Sequence, residues 1–324
     1  MARVTINDIA KYAEVGKSTV SRYFNGGYVK EETRNKIEKV CREYNYQPNY
    51  VAKSLKAKHS YQIGVITPSI TSRTASRVLT ALDEELRQSG YTPILINTNH
   101  NRNRELQSLD SFTRMNVEGV ILLATEITKA HKELIQRMNV PVVVLAQKMS
   151  GTVNVTFDDY HAGYDVGMKI GKTSKHPCLV MVSKYDKAVG VDRRKGILDG
   201  LAERKVKDID IIETDFSFDT SRQAVQDYLA EHVPDAMICA TDNIALAAFK
   251  EIHRKGYAIP KDISLISFGG YTVSQVLTPS LCTVKFDYEL EGRTGADLIL
   301  DMIMGKTVKS VRIGYEVLEG ESVK

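Results

Sequence analysis

From Gln62 onward, short unbroken apolar runs alternate with amphipathic stretches, and this alternation limits the fold more than any other feature of the chain. Residues 63–66, 92–97, 119–123 and 140–146 read as strands, with helices at about 75–90, 103–116 and 129–138 between them. The pattern resumes after Asp158, with strands at 178–183, 210–214, 236–240 and 264–268. Helices near 190–204, 219–231 and 243–256 fall between these, and a last strand is expected near 311–317. Apolar strands without polar alternation, separated by helices, predict parallel sheets covered on both faces. Two such series in tandem predict two lobes. Ligands of open α/β sheets bind beyond the carboxyl ends of the strands, so the cleft between the lobes is the expected small-molecule site.

The first sixty residues follow a different rule. Thr5 with Asp8 three residues later forms a capping-box pattern, and Ile6, Ile9, Ala10 and Ala13 make an apolar helical stripe. Glu14-Val15-Gly16 breaks the run, with Gly16 read as the permissive turn residue. A second short helix follows over 17–25, with Val20 and Phe24 facing inward and Lys17, Ser18, Ser21 and Arg22 outward. Two short helices across a tight turn predict a helix-turn-helix, whose second helix enters the DNA major groove. A third helix from Glu31 to about Tyr44 places Ile37, Val40, Cys41 and Tyr44 against Ile9, Val20 and Phe24. Beyond Tyr46-Gln47-Pro48-Asn49, Asn49 can cap one more short helix over 50–56, too short to stand alone.

Charge agrees with this division. Residues 1–60 hold 12 Lys/Arg against 6 Asp/Glu, a net of +6, whereas the whole chain is +4 and residues 61–324 therefore −2. A basic head on a near-neutral body is the layout of a protein that grips phosphates at one end. The four cysteines are scattered without metal-ligand spacing, so neither a disulfide framework nor a metal site is expected, and a reduced, cytoplasmic setting is. No membrane segment or secretory leader is read. A Gly-rich phosphate loop, a GxSxG elbow, an HExxH pair and an ordered carboxylate pair are all missing, which argues against an enzyme and against a resident cofactor.

The run VTINDIAKYAEVGKSTVSRYFN, then Thr33-Arg34, then YNYQPNYVAKSL resembles the DNA-binding head and hinge of the LacI/GalR family of bacterial repressors. ICATDNIALAAFKEI, IPKDISLISFGGY and LTPSLCTVKFDYELEGRTGADLIL extend the resemblance over nearly the whole chain. It implies a three-helix, all-α helix-turn-helix head at 1–46, a hinge helix and linker at 47–60, and a two-lobed α/β body at 61–324 like the periplasmic sugar-binding fold, with parallel sheets. The first lobe is expected at about 61–157 and 287–318, the second at about 158–286. By matching position, Lys17, Ser18 and Arg22 would read base edges, with Thr19, Ser21, Asn25 and Tyr28 near phosphates. Thr5, Asn7 and Asn49 complete the DNA-facing set, and Leu55 would wedge into the minor groove at the operator centre. Lys30 departs from the family pattern as a poor cap for the third helix, and the compact Gly26-Gly27 loop shifts Tyr28.

In the body, Arg193 of VDRRKG matches the family's effector-contacting arginine, with Arg194 its competitor by a one-residue slip. Asp242, read as capping the helix that follows it, Tyr271 of FGGY, Gln147, Asp158, Ser69 and Thr71 are the other effector-site candidates. Asp158 either reaches the cleft or braces the crossover beside Asp159. Glycine stands in FGGY where many relatives carry a sugar-gripping aspartate, and FGGY with ICATDNIAL is similar to the sucrose-operon repressors of Gram-positive bacteria. The expected function is thus an allosteric repressor of a sugar-utilisation operon. It would act as a homodimer on pseudo-palindromic operator DNA, tuned by a sugar or sugar phosphate. A global carbon-catabolite regulator, or a sugar-binding protein or enzyme without regulatory DNA binding, are the alternatives.

Overall fold

In a computed structural model, residues 4–24, 27–44, 46 and 59–324 are described. The chain divides into two compact units, Met1–Ser60 and Tyr61–Lys324.

In the first unit, α1 (Ile6–Tyr12), α2 (Lys17–Phe24) and α3 (Glu31–Glu43) close on Ile9, Ala10, Ala13, Val20, Ile37 and Val40. Thr5 caps α1 as expected: its hydroxyl oxygen accepts from the Asp8 amide, while the Asp8 carboxylate takes the Thr5 amide at 2.8 Å. The backbone instead turns at Glu14, the residue with positive φ (53°), and not at Gly16. Tyr44 also departs from expectation. It is 45% exposed and stacks on Tyr12 with ring centroids 4.6 Å apart, because α3 ends at Glu43 and releases it from the helical register of the core. Lys30 precedes α3 without a side-chain capping bond.

The second unit holds two six-stranded sheets. β1 (Gln62–Thr67), β2 (Thr92–Asn97), β3 (Gly119–Leu123), β4 (Val142–Leu145), β5 (Val153–Phe157) and β11 (Val311–Ile313) form the first, all parallel, in the order β11-β5-β4-β3-β1-β2. Its strands are apolar on both sides for a simple reason. Ile63, Val65, Ile121 and Val143 face a core with Val78, Leu82 and Ile299, while Ile66, Val120, Leu122 and Val144 face Leu109, Phe112 and Ile135.

The second sheet is built from β6 (Pro177–Val182), β7 (Asp210–Thr214), β8 (Ala236–Cys239), β9 (Ser264–Phe268), β10 (Cys282–Phe286) and β12 (Tyr315–Leu318), ordered β12-β10-β9-β8-β6-β7. Here β12 runs antiparallel to β10, so this sheet is not wholly parallel. The single strand expected at 311–317 is two, broken at Gly314, and the pieces join opposite sheets. Residues 315–318 therefore pair in the second lobe, whereas the sequence reading put them in the first. The chain crosses between lobes at 157–158, at 286–287 and again at Gly314.

Candidate functional site

The head presents a polar face. Lys17, Ser18 and Arg22 on α2 are exposed, Thr19 and Ser21 half-buried, Asn7 exposed, and Tyr28 84% exposed. The Arg22 stem lies over Gly27, whose amide donates to the Arg22 carbonyl at 2.9 Å. Opposite, Val20 is fully buried and the Tyr23 hydroxyl donates to Glu38, so packing orients the exposed face. Thr5 is occupied in its cap. Asn25, Asn49 and Leu55 lie outside the described residues.

In the body the cleft wall of the second lobe is built on a close helix pair. α7 (Asp159–Ile170) and α8 (Arg194–Glu203) meet through glycines at four-residue spacing. A Cβ on Gly163 would lie 2.2 Å from the Arg193 carbonyl oxygen, and one on Gly196 2.0 Å from that of Tyr160. Ahead of α8, the turn Lys187–Arg193 is wound as a π-helix, whose extra residue per turn shifts the register at its end. Arg193 closes that turn, 5% exposed.

Its guanidinium is already engaged. Nε donates to Asp159 Oδ1 at 2.9 Å, Nη2 to the same oxygen at 2.5 Å, and Nη1 to the Ala240 carbonyl at 2.6 Å. The rings of Phe268 and Phe286 lie 4.6 and 5.2 Å from its central carbon. Asp159, which begins α7 and is 5% exposed, is therefore the carboxylate that positions Arg193. Asp158 does something else: it meets His161 Nδ1 at 2.8 Å and Arg312 at 3.7 Å, bracing the crossover. Arg194 is half-buried and outside this group of contacts.

Asp242 does not cap the helix that it begins. Thr241 is the cap of the helix α10 (Asp242–Arg254), its oxygen accepting from the Ile244 amide. Asp242, fully buried, instead gathers four donors: the hydroxyls of Ser267 and Thr283 at 2.5 Å each, the Tyr271 amide at 2.7 Å and the Ser274 hydroxyl at 2.8 Å. It thereby shapes the turn Gly269-Gly270-Tyr271, in which both glycines take positive φ (154° and 64°). Tyr271 is 7% exposed, and its hydroxyl pKa is pushed up to about 12, first by burial and then by the Asp242 charge. The Arg73 guanidinium, on the first lobe, stands 6.0 Å from its ring.

On the first lobe Ser69 and Thr71 share a hydroxyl contact at 3.0 Å, ahead of the helix α4 (Arg73–Gln88) that Ser72 caps. Gln147, 2% exposed, donates from Nε2 to Asp186 Oδ1 at 2.9 Å, across the lobes. The structure thus gathers Arg193, Asp242 and Tyr271 around one wall, sets Ser69 and Thr71 on the other, and ties Gln147 to Asp186. Asp159 and Asp186 were missed as site residues, although the glycine spacing at 163, 167, 196 and 200 was there to signal the helix contact that positions Arg193.

Residues 60–319 match the model for periplasmic binding proteins and the sugar-binding domain of the LacI family, and residues 5–49 the model for bacterial regulatory proteins of the lacI family. The chain belongs to the LacI family. It is 35% identical over 307 residues to the sucrose operon repressor of Staphylococcus xylosus, covering 94% of this chain and 95% of that one. To the HTH-type transcriptional repressor PurR of Escherichia coli O139:H28 it is 28% identical over 329 residues, covering 98% of this chain and 96% of that one. The lac repressor dimer solved with operator and the anti-inducer ONPF superposes with a TM-score of 0.90 at 26% identity, covering 99% of each chain. For this family the helix-turn-helix fold of α1 and α2 and the two-lobed body, with a sheet in each lobe, are the shared framework. The arrangement around Arg193 and Asp242 is the part specified here by individual side chains.

Proposed function

We propose that this protein is a DNA-binding transcriptional repressor of a sugar-utilisation operon, controlled by a sugar or sugar phosphate of the sucrose type that enters the cleft between its lobes. The observation that carries the reading is Arg193, buried yet held in place by Asp159, Ala240 and two aromatic faces, with part of its donor fork uncommitted. A planar fork fixed in advance suits vicinal hydroxyls or a phosphate. Ser69, Thr71 and Tyr271 add hydroxyls around it. The sucrose operon repressor of S. xylosus supports the choice of sugar.

In the head, Lys17, Ser18 and Arg22 read base edges in the major groove, and Thr19, Ser21 and Tyr28 set the register on phosphates. Asn7 and, by matching position in the family, Asn25, Asn49 and the minor-groove wedge Leu55 complete the DNA-contacting set. The protein works in the cytoplasm as a homodimer on a pseudo-palindromic operator. Effector binding shifts the lobes only as far as it prefers one arrangement over the other.

Gel-shift titration on the operator tests both ends. Arg22→Ala should weaken binding by about 1–3 kcal/mol. Arg193→Ala leaves Asp159 buried without its partner and should lower stability, yet at temperatures where it stays folded it should bind operator without sugar and fail to respond when sugar is added. Full response of the Arg193 variant would sink the cleft assignment. Calorimetry with sucrose, sucrose 6-phosphate, fructose and trehalose 6-phosphate identifies the effector.

A further inference from the structure

We propose that Gln147 and Asp186 form a clasp between the two lobes, and that Gln147 acts by setting how far the cleft is closed before effector binds. Gln147 follows β4 in the first lobe and Asp186 follows β6 in the second. Their hydrogen bond of 2.9 Å joins side chains that are 2% and 8% exposed. Both halves are protein groups, so the bond needs no ligand atom to form.

Each partner is anchored from behind. Asp186 Oδ1 also accepts from the Val189 amide at 2.9 Å, at the start of the turn that ends in Arg193. Ala146, next to Gln147, adopts positive φ (65°) and donates its amide to the buried Glu291 at 2.8 Å. A rotation of one lobe against the other therefore cannot be absorbed by loose loops and must break the bond. Burial raises the Asp186 carboxyl above its ordinary value, consistent with a seam that excludes water. Tyr185, 67% exposed, stands at the outer mouth of the seam, where with His100, Arg102 and Glu126 of the first lobe it lines a cavity of about 130 Å³.

The inference rests on the cleft being the effector site, but its decisive measurement does not. Amide hydrogen exchange reads the seam without a reporter substitution, through the segments 146–149 and 183–190 that carry the two partners. In the full-length protein, without sugar, Gln147→Leu should speed exchange across both segments. Gln147→Glu, which sets a second carboxylate against Asp186, should do so more strongly, and thermal melts confirm that each variant is folded. A hydrogen bond to a charged group corresponds to a shift of about ten-fold in the closed-to-open ratio. The sugar identified by calorimetry should bind more weakly to Gln147→Leu, by at most about ten-fold, and bring a larger gain in protection, because it must now supply the closure itself. Unchanged exchange across both segments in both folded variants would overturn the clasp. Weaker sugar binding with an unchanged sugar-free signal would overturn it too, and would make Gln147 a direct effector contact. Failure of every sugar to bind, with the sugar-free changes intact, would leave the clasp standing and remove the effector assignment alone.

Discussion

The proposed DNA-reading helix and the proposed effector wall hold their side chains in opposite ways. On α2, Lys17, Ser18 and Arg22 stay exposed. In the cleft, Asp242 is fully buried with four donors on its carboxylate, and Arg193 is locked to Asp159 and Ala240. A duplex is a broad, charged surface met from outside, so solvated side chains on a rigid helix suffice, and phosphate contacts fix the register. A small ligand offers few atoms, and side chains ordered only on binding would spend its affinity on their own immobilisation. The wall is therefore set in advance, and changes there should register in stability, whereas changes on the reading face should register in binding.

Asp242→Ala tests that contrast hardest. It strips the acceptor from Ser267, Thr283, Ser274 and the Tyr271 amide in one step. Breaking a buried charged network costs about 4 kcal/mol, and the body should melt roughly 10 °C lower by calorimetry. An unchanged melting temperature would mean that Asp242 serves the ligand and not the fold.

Gly163→Ala comes next. Its added methyl would meet the Arg193 carbonyl oxygen at 2.2 Å, backbone against side chain with no flexible end to yield. Overpacking of this kind costs about 3 kcal/mol. The α7–α8 pair must spread and carry Arg193 away from Asp159, so sugar response should fall together with stability. Loss of stability with normal response would show that the helix spacing does not govern Arg193.

Glu291→Gln should act in the opposite sense. Burial, with a smaller push from Asp159 and opposed by the Ala146 amide, drives the Glu291 carboxyl up to about 8 from 4.5. Between those values the folded protein keeps a proton that the unfolded chain has released, so stability falls as pH rises through that window. Glutamine keeps the acceptor for Ala146 and has no proton to lose. Urea melts should show the variant gaining on the parent from pH 5 to pH 8. A constant difference across that range would refute the assignment.

How much of this was legible in the sequence follows from the same contrast. Periodicity located the alternating strands and helices and the three helices of the head, because local pattern and burial coincide there. Where tertiary placement decides, pattern was silent. Residues 311–317 look like one strand, but Gly314 sends its halves to different sheets. Val153–Phe157 was not read as a strand at all, since Asn154 and Thr156 interrupt its apolar run; Asn154 is buried by bonds to Met149 and Thr152. Asp158 and Asp159 are chemically alike, and only the start of α7 between them determines which one reaches Arg193. Glu14, not Gly16, takes the left-handed turn, because glycine permits that conformation without requiring it.

Thr5 is where the two modes of recognition come closest, and Thr5→Ala is the smallest and most discriminating change. By matching position it belongs to the DNA-facing set, yet its hydroxyl donates to Asp8 Oδ2 at 2.7 Å and its oxygen accepts the Asp8 amide at 3.4 Å, which closes the capping box of α1. Losing a cap of this type costs about 1 kcal/mol. If capping is its whole role, the head melts earlier while operator affinity, measured well below that transition, and its salt dependence stay as in the parent. If Thr5 also meets a phosphate, affinity falls even where the head is fully folded. Thr5→Ser, which keeps the oxygen, then restores both, so the pair of variants separates a residue that builds the reading face from one that belongs to it.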